Sequence, residues 1–211
     1  MTAAPWVPAD ATVPKLREAA PQCRGCELWE PATQVVFSAG NDRAPLVLVG
    51  EQPGDAEDRQ GVPFVGPAGK VLQRALAEAE IAVADVYVTN AVKHFRFTER
   101  GKRRIHATPQ MSHIKACRPW LEAELNVVDP KLIVCLGSTA AKALLGSSFR
   151  VTQSRGQVLE HETPVGNRRV LATVHPSSIL RADEAERDAA YAGLVADLRV
   201  AGQALAGRSL A

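Results

Sequence analysis

Pro45-Leu46-Val47-Leu48-Val49-Gly50 is an aliphatic run that stops at a glycine, and Glu51-Gln52-Pro53-Gly54 follows it. A run this short, apolar at successive rather than alternate positions, reads as a strand buried on both faces. Residues 86–90, 132–137 and 169–174 have the same character. Between these runs, apolar residues return at helical spacing. Pro67 opens one such stretch, with Val71, Leu72, Ala75, Leu76 and Ala79 on a face. A second carries Ile114, Cys117, Trp120, Leu121 and Leu125, with Pro119 inside it; a third spans 138–145, with Ser138 or Thr139 available as its cap. A fourth spans about 183–200. Strands alternating with helices predict an α/β fold, a three-layer α/β/α sandwich around a mostly parallel sheet of about four strands. Such sheets bind ligands beyond the carboxyl ends of their strands. The unusual residues stand there: Gly50 to Gly54, Asn90, and His175-Pro176-Ser177-Ser178. Three distant segments are therefore expected to share one crevice.

The 211 residues, 46% hydrophobic and 23% charged, suffice for one sizeable core. Residues 15–202 are expected to form it, with a loose Ala- and Pro-rich start (1–14) and a frayed end (203–211). No apolar run approaches the roughly 20 residues of a membrane span, and no secretory leader is evident, so a cytoplasmic monomer is expected. The net charge of +2 is uninformative, but its distribution is not. From Lys93 to Arg118 there are eight Lys or Arg and one acid, Glu99, a local excess able to neutralise phosphates. Val65-Gly66-Pro67-Ala68-Gly69-Lys70 mimics a phosphate loop, but Phe64 stands where its first glycine belongs and Val71 where Ser or Thr does. No nucleotide cofactor is expected.

The four cysteines are Cys23, Cys26, Cys117 and Cys135. Cys23-Arg24-Gly25-Cys26 lets two thiolates grip one metal centre from a turn, while the other two lie in a helix and a strand. Disulfides fit poorly with a reducing compartment. Structural zinc, an iron–sulfur cluster and plain buried thiols all stay open on spacing alone, the last especially for Cys135 within an apolar strand.

Taken together, Gly50-Glu51-Gln52-Pro53-Gly54 with Glu57-Asp58, Pro63 to Gly69, Tyr87 to Lys93, and His175 to Ser178 resemble the iron–sulfur uracil-DNA glycosylases of family 4. The likeness runs from about Cys23 to Val200. It implies that Cys23, Cys26, Cys117 and Cys135 hold a four-iron four-sulfur cluster, and that Gln52, Gly54, Asp55, Phe64, Asn90 and Ser177 form the uracil site. Two features depart from the usual family pattern: Gln52 replaces an alanine, and the insert Gly101-Lys102-Arg103-Arg104-Ile105-His106 follows the Asn90 strand. Both are similar to the UdgX branch, whose members bond to uracil-containing DNA through the histidine of this insert, here His106.

The resemblance implies a division of labour. Phe64 stacks on an extruded base, and Asn90 reads N3–H and O4. His175, with backbone amides of the Gln52–Asp55 loop, steadies the departing base. On chemical grounds Glu51 is expected beside His106 and the anomeric carbon, and Lys102, Arg103 and Arg104 on phosphates. The partner expected is uracil-containing DNA, single strands included. Two alternatives stay open, a multiple-turnover glycosylase whose insert only binds phosphate, and a non-catalytic DNA-binding cluster protein.

Overall fold

A computed structural model describes residues 1–207. Its strands are β1 (Ser38–Gly40), β2 (Leu46–Gly50), β3 (Val86–Asn90), β4 (Phe97–Arg100), β5 (Arg103–His106), β6 (Leu132–Leu136), β7 (Val158–Thr163) and β8 (Gly166–Thr173). Its α-helices are α1 (Val13–Ala19), α2 (Asp55–Gln60), α3 (Pro67–Glu78), α4 (Met111–Val128), α5 (Ser138–Leu145), α6 (Val151–Ser154), α7 (Pro176–Arg181) and α8 (Glu184–Leu205). Six strands make one sheet in the order β1-β3-β2-β6-β8-β7. The four inner strands are parallel, as the aliphatic runs predict, and antiparallel β1 and β7 close the two edges. The sheet therefore has two strands more than the four expected. Both extra strands lack an aliphatic run: β1 is three small residues, and β7 is only partly buried.

Alternation along the inner strands explains their composition. Val47, Val49, Ile133, Cys135, Val170 and Ala172 face a core shared with α1, α4 and α5. Leu46, Leu48, Leu132, Val134, Leu136 and Leu171 face a second core under α3, α7 and α8. Successive side chains of a strand point to opposite faces, so a sheet covered on both sides needs an apolar residue at each position. β6, wholly buried, shows the result. Pro119 is accommodated inside α4, which runs unbroken to Val128. α5 starts from Gly137 with no side-chain cap, so neither Ser138 nor Thr139 plays the capping role expected.

The expected loose N-terminus is docked. Ala3 is 1% exposed, its N–H donates to Ala116 O at 2.7 Å, and a Cβ on Gly25 would lie 2.7 Å from Ala3 Cα. The start of the chain is thus held against the Cys23–Cys26 turn and α4. At the other end α8 continues past 202 to Leu205; residues 208–211 of the expected frayed tail lie outside the described residues. Among the described residues no helix is long and apolar enough to cross a membrane.

Candidate active site

The carboxyl ends of β2, β3, β6 and β8 lie along one edge, since these strands are parallel neighbours. The sheet delivers Glu51, Asn90, Gly137 and His175 there. Ladder-like bonds persist past β2, with Ala91 N–H donating to Gly50 O and Val92 N–H to Glu51 O, so Glu51 leaves the sheet from a fixed point. A Cβ on Gly50 would stand 2.3 Å from Asn90 Oδ1 and 2.6 Å from Phe64 Cζ. Glycine at this position lets the Asn90 amide and the Phe64 ring meet.

Asn90 is 2% exposed, and its Oδ1 is buried with no hydrogen-bond partner among the described residues. A buried acceptor left unmatched is costly unless a ligand supplies the donor. Lys93 sits beneath it, ion-paired with Glu124, and its Nζ donates to Asn90 O at 3.0 Å. Glu124 also accepts from Tyr87 and Thr89, each at 2.8 Å. Phe64 occupies the left-handed region at φ 56°, a conformation costing on the order of 1–3 kcal/mol for such a residue. Its ring lies 6.1 Å from that of His175, inclined by 30°. Glu57 ties this loop to the strand end, its carboxylate accepting from Gly54 N–H at 3.0 Å and Gly66 N–H at 2.7 Å.

His175 caps α7, and its Nδ1 accepts from Ser177 N–H at 3.1 Å. That leaves the proton of the neutral ring on Nε2, pointing a donor away from α7. Burial, with some help from His106 and Arg181, lowers the imidazole pKa to about 4. His175 is therefore a neutral donor at ordinary pH. Ser177, expected at the uracil site, instead places its hydroxyl 2.8 Å from His175 Nδ1, where it also accepts from Arg181 at 3.0 Å.

The insert folds as a hairpin of β4 and β5, turning through Gly101-Lys102, with Phe97 opposite His106 and Glu99 opposite Arg104. Strand alternation places Arg104 and His106 on one face and Arg103 and Ile105 on the other. Arg104 does not stand ready for phosphate. Its guanidinium bonds Asp55 and Asp58, each at 2.6 Å, and Thr33 Oγ1 at 3.0 Å, with Phe97 and Phe95 beneath it. Asp55, expected at the uracil site, is spent on Arg104 and Arg59, and the Arg59 hydrogen bond contributes most to holding its carboxyl below the usual range. Lys102 and Arg103 remain exposed.

Gln52 is a second fastening of the hairpin. Its Oε1 accepts from Arg96 N–H and its Nε2 donates to Arg96 O, both at 3.0 Å. The other amide hydrogen faces His106 Nε2 at 3.0 Å and Ala107 O at 3.2 Å. With both ends engaged, the Gln52 side chain clamps the hairpin base instead of reading a base, and the Gly54 amide is taken by Glu57. His106 is held with Nε2 3.4 Å from Glu51 Oε1. Partial burial lowers its pKa against the opposing pull of Glu51, favouring the neutral ring.

The cysteines divide three to one. Cys23, Cys26 and Cys117 line one cavity together with His94, Lys93 and Trp120. Cys135 does not line it; it sits in β6 between β2 and β8, fully buried. The backbone N–H of Lys93 donates to Cys117 Sγ and Trp120 Nε1–H to Cys23 Sγ, both at 3.3 Å. Donors aimed at sulfur suit thiolates, whose charge they offset. Among the described residues no three His, Cys, Asp or Glu are gathered tightly enough to grip a single metal ion. Sequence reasoning missed His94, and it noted Glu57 and Asp58 as part of a motif without giving either a role. The Gly54-to-Glu57 spacing is a helix-start signal that pointed to Glu57; a buried His beside a Lys carries no such signal.

The chain is similar to known proteins over most of its length. Residues 37–199 match the model of the uracil DNA glycosylase superfamily. The chain is 37% identical to the Type-4 uracil-DNA glycosylase of Thermotoga maritima over 161 residues, which is 76% of this chain and 79% of that protein. It is 35% identical to the Type-4 uracil-DNA glycosylase of Archaeoglobus fulgidus over 162 residues, 75% of this chain and 78% of that protein. A match of 32% over 143 residues covers 14% of a DNA polymerase of Bacillus phage SP01. With a family match across most of its length, the chain belongs to the uracil DNA glycosylase superfamily.

Proposed function

We propose that the protein excises uracil from DNA and then bonds to the abasic sugar through His106. The observation that carries this reading is the position of His106 Nε2, 3.4 Å from Glu51 Oε1 at the strand ends, on a hairpin fastened by Arg104 and Gln52. A base extruded from the strand stacks on Phe64, and its N3–H supplies the donor that Asn90 Oδ1 lacks. As the C1′–N1 bond breaks, the electron pair leaves with the uracil anion, and His175 Nε2–H donates to its O2. The sugar cation, steadied by the Glu51 carboxylate, is captured by the Nε2 lone pair of neutral His106, which gives up its hydrogen bond from the Gln52 amide to do so. The new C1′–N bond forms as the ring gives up its Nδ1 proton to solvent, leaving a neutral alkylated imidazole. Protein and abasic strand end as one molecule, with free uracil released.

Cys23, Cys26 and Cys117 hold a four-iron four-sulfur cluster in this reading, with His94 as the fourth ligand in place of Cys135. The lining of the cavity and the two N–H···S bonds support it. Held by these residues, such a cluster would tie the N-terminal turn to α4, and the uracil chemistry would need no electron from it. Lys102 and Arg103, not Arg104, bind phosphate. The substrate includes single-stranded DNA, and the protein acts as a cytoplasmic monomer. Incubation with a uracil-containing single strand tests the reading. One uracil is expected per protein, with a slow-migrating band on a denaturing gel that disappears in His106→Ala. Uracil in excess of protein, with no such band, would favour ordinary turnover instead.

A further inference from the structure

The turn from β6 into α5, Gly137-Ser138-Thr139, lies at the same sheet edge, and the chemistry above gives it no part. It touches both acid–base groups of the site. Gly137 has φ +89°, and a Cβ there would lie 2.9 Å from His175 Cβ, so the backbone of the turn backs directly onto the histidine. Gly137 N–H donates to Thr173 O at 2.9 Å, locking the turn to the end of β8. Thr139 is 5% exposed in the first turn of α5. The cap position of α5 is Gly137, which has no side chain to offer, and Thr139 at the second helical position caps nothing. The Thr139 hydroxyl donates instead to Glu51 Oε2, across 88 positions of sequence. The other carboxylate oxygen, Oε1, faces His106 Nε2.

We infer that Thr139 is a positioning residue for Glu51. Its hydroxyl occupies one carboxylate oxygen and stops the side chain from turning, which leaves the second oxygen aimed at His106 and the anomeric carbon. A Glu side chain has three rotatable bonds and substantial rotamer freedom, and Glu51, with 21% of its side chain exposed, is not immobilised by packing alone. Gly137 and Thr139 together make one short turn the common support of His175 and Glu51. The inference rests on the role given to Glu51 above, and its test separates the two.

Thr139→Val removes the hydroxyl at nearly constant shape, Thr139→Ala removes it without the extra methyl, and Thr139→Ser keeps it. Uracil release and adduct formation are followed in single turnover on a uracil-containing single strand, over a range of protein concentration. Val and Ala variants are expected to slow the saturating rate roughly 10- to 100-fold, the usual worth of a hydrogen bond to a charged group. The half-saturating concentration should hold, because Thr139 touches no DNA in this account. Ser should restore most of the rate, and Thr139→Val should add nothing in a Glu51→Gln background. Wild-type rates in the Val and Ala variants, beside a slow Glu51→Gln, would overturn the inference alone. So would a loss that Ser fails to rescue, or one that adds to Glu51→Gln. A Glu51→Gln protein as fast as wild type would instead remove the role of Glu51 itself.

Discussion

His175 holds its Nδ1 under the Ser177 amide, and two consequences follow from that one hydrogen bond. The donor that remains, Nε2–H, is the form suited to a departing anion, and burial keeps the ring neutral down to a pKa of about 4. Because the folded value lies below the usual one near 6.5, the unfolded chain takes up the proton first as pH falls. The stability tied to the neutral ring is complete above about pH 6.5 and is lost on the way down to about 4. Between pH 7 and 4.5 the stability advantage of wild type over His175→Gln should shrink by on the order of 2–3 kcal/mol, measurable by thermal melting. An advantage that grew on acidification would contradict the assigned ring state. In the proposed reaction Phe64 and Asn90 act on the base itself. Phe64→Ala should weaken uracil-strand binding by about 1–3 kcal/mol, read by titration with a His106→Ala protein that cannot crosslink.

The β4–β5 hairpin divides its basic residues by face, so neighbours in sequence should behave differently. Arg104→Gln breaks the bonds to Asp55 and to fully buried Asp58. Loss of a buried partner costs about 3–5 kcal/mol where the remaining charge stays unpaired, and here the expense falls on docking of the hairpin. Faster amide exchange across residues 97–106 and a lower adduct yield are expected, with little change in the salt dependence of DNA binding. Lys102→Ala and Arg103→Ala should leave exchange alone and each reduce the salt slope by about one unit. The sequence displayed the charge of this segment but not its division, because the Lys-Arg-Arg run does not say which residue meets Asp55 and Asp58 from 46 to 49 positions earlier. The same limit hid the Gln52 clamp and the Thr139 contact, which join residues far apart in the chain. What was legible was whatever repeats at short period: the four aliphatic strands, the helix faces, and the strand ends that gather Glu51, Asn90 and His175.

Across the whole molecule, two cores built on alternate residues of the same strands support both the strand-end residues and the cysteine cavity. Lys93 spans the distance between them, its backbone N–H on Cys117 Sγ and its ammonium group on Asn90 O. Cys135 belongs to the first of these cores, which is why an apolar strand can carry it without a partner. Cys135→Ala should therefore keep full iron content and visible absorption, while Cys117→Ala and His94→Ala should lose iron; iron retained in both of the latter would refute the ligand set. The family resemblance implied four cysteine ligands, and the lining of the cavity, which takes in three of them, sets Cys135 apart. In the proposed reaction the imidazole of His106 takes the place of water at the anomeric carbon. Intact-protein mass spectrometry after exposure to a uracil-containing oligonucleotide measures this directly. The mass should rise by that of one strand less its uracil, with peptide mapping placing the added mass on His106. Unmodified protein alongside a molar excess of abasic product would contradict it.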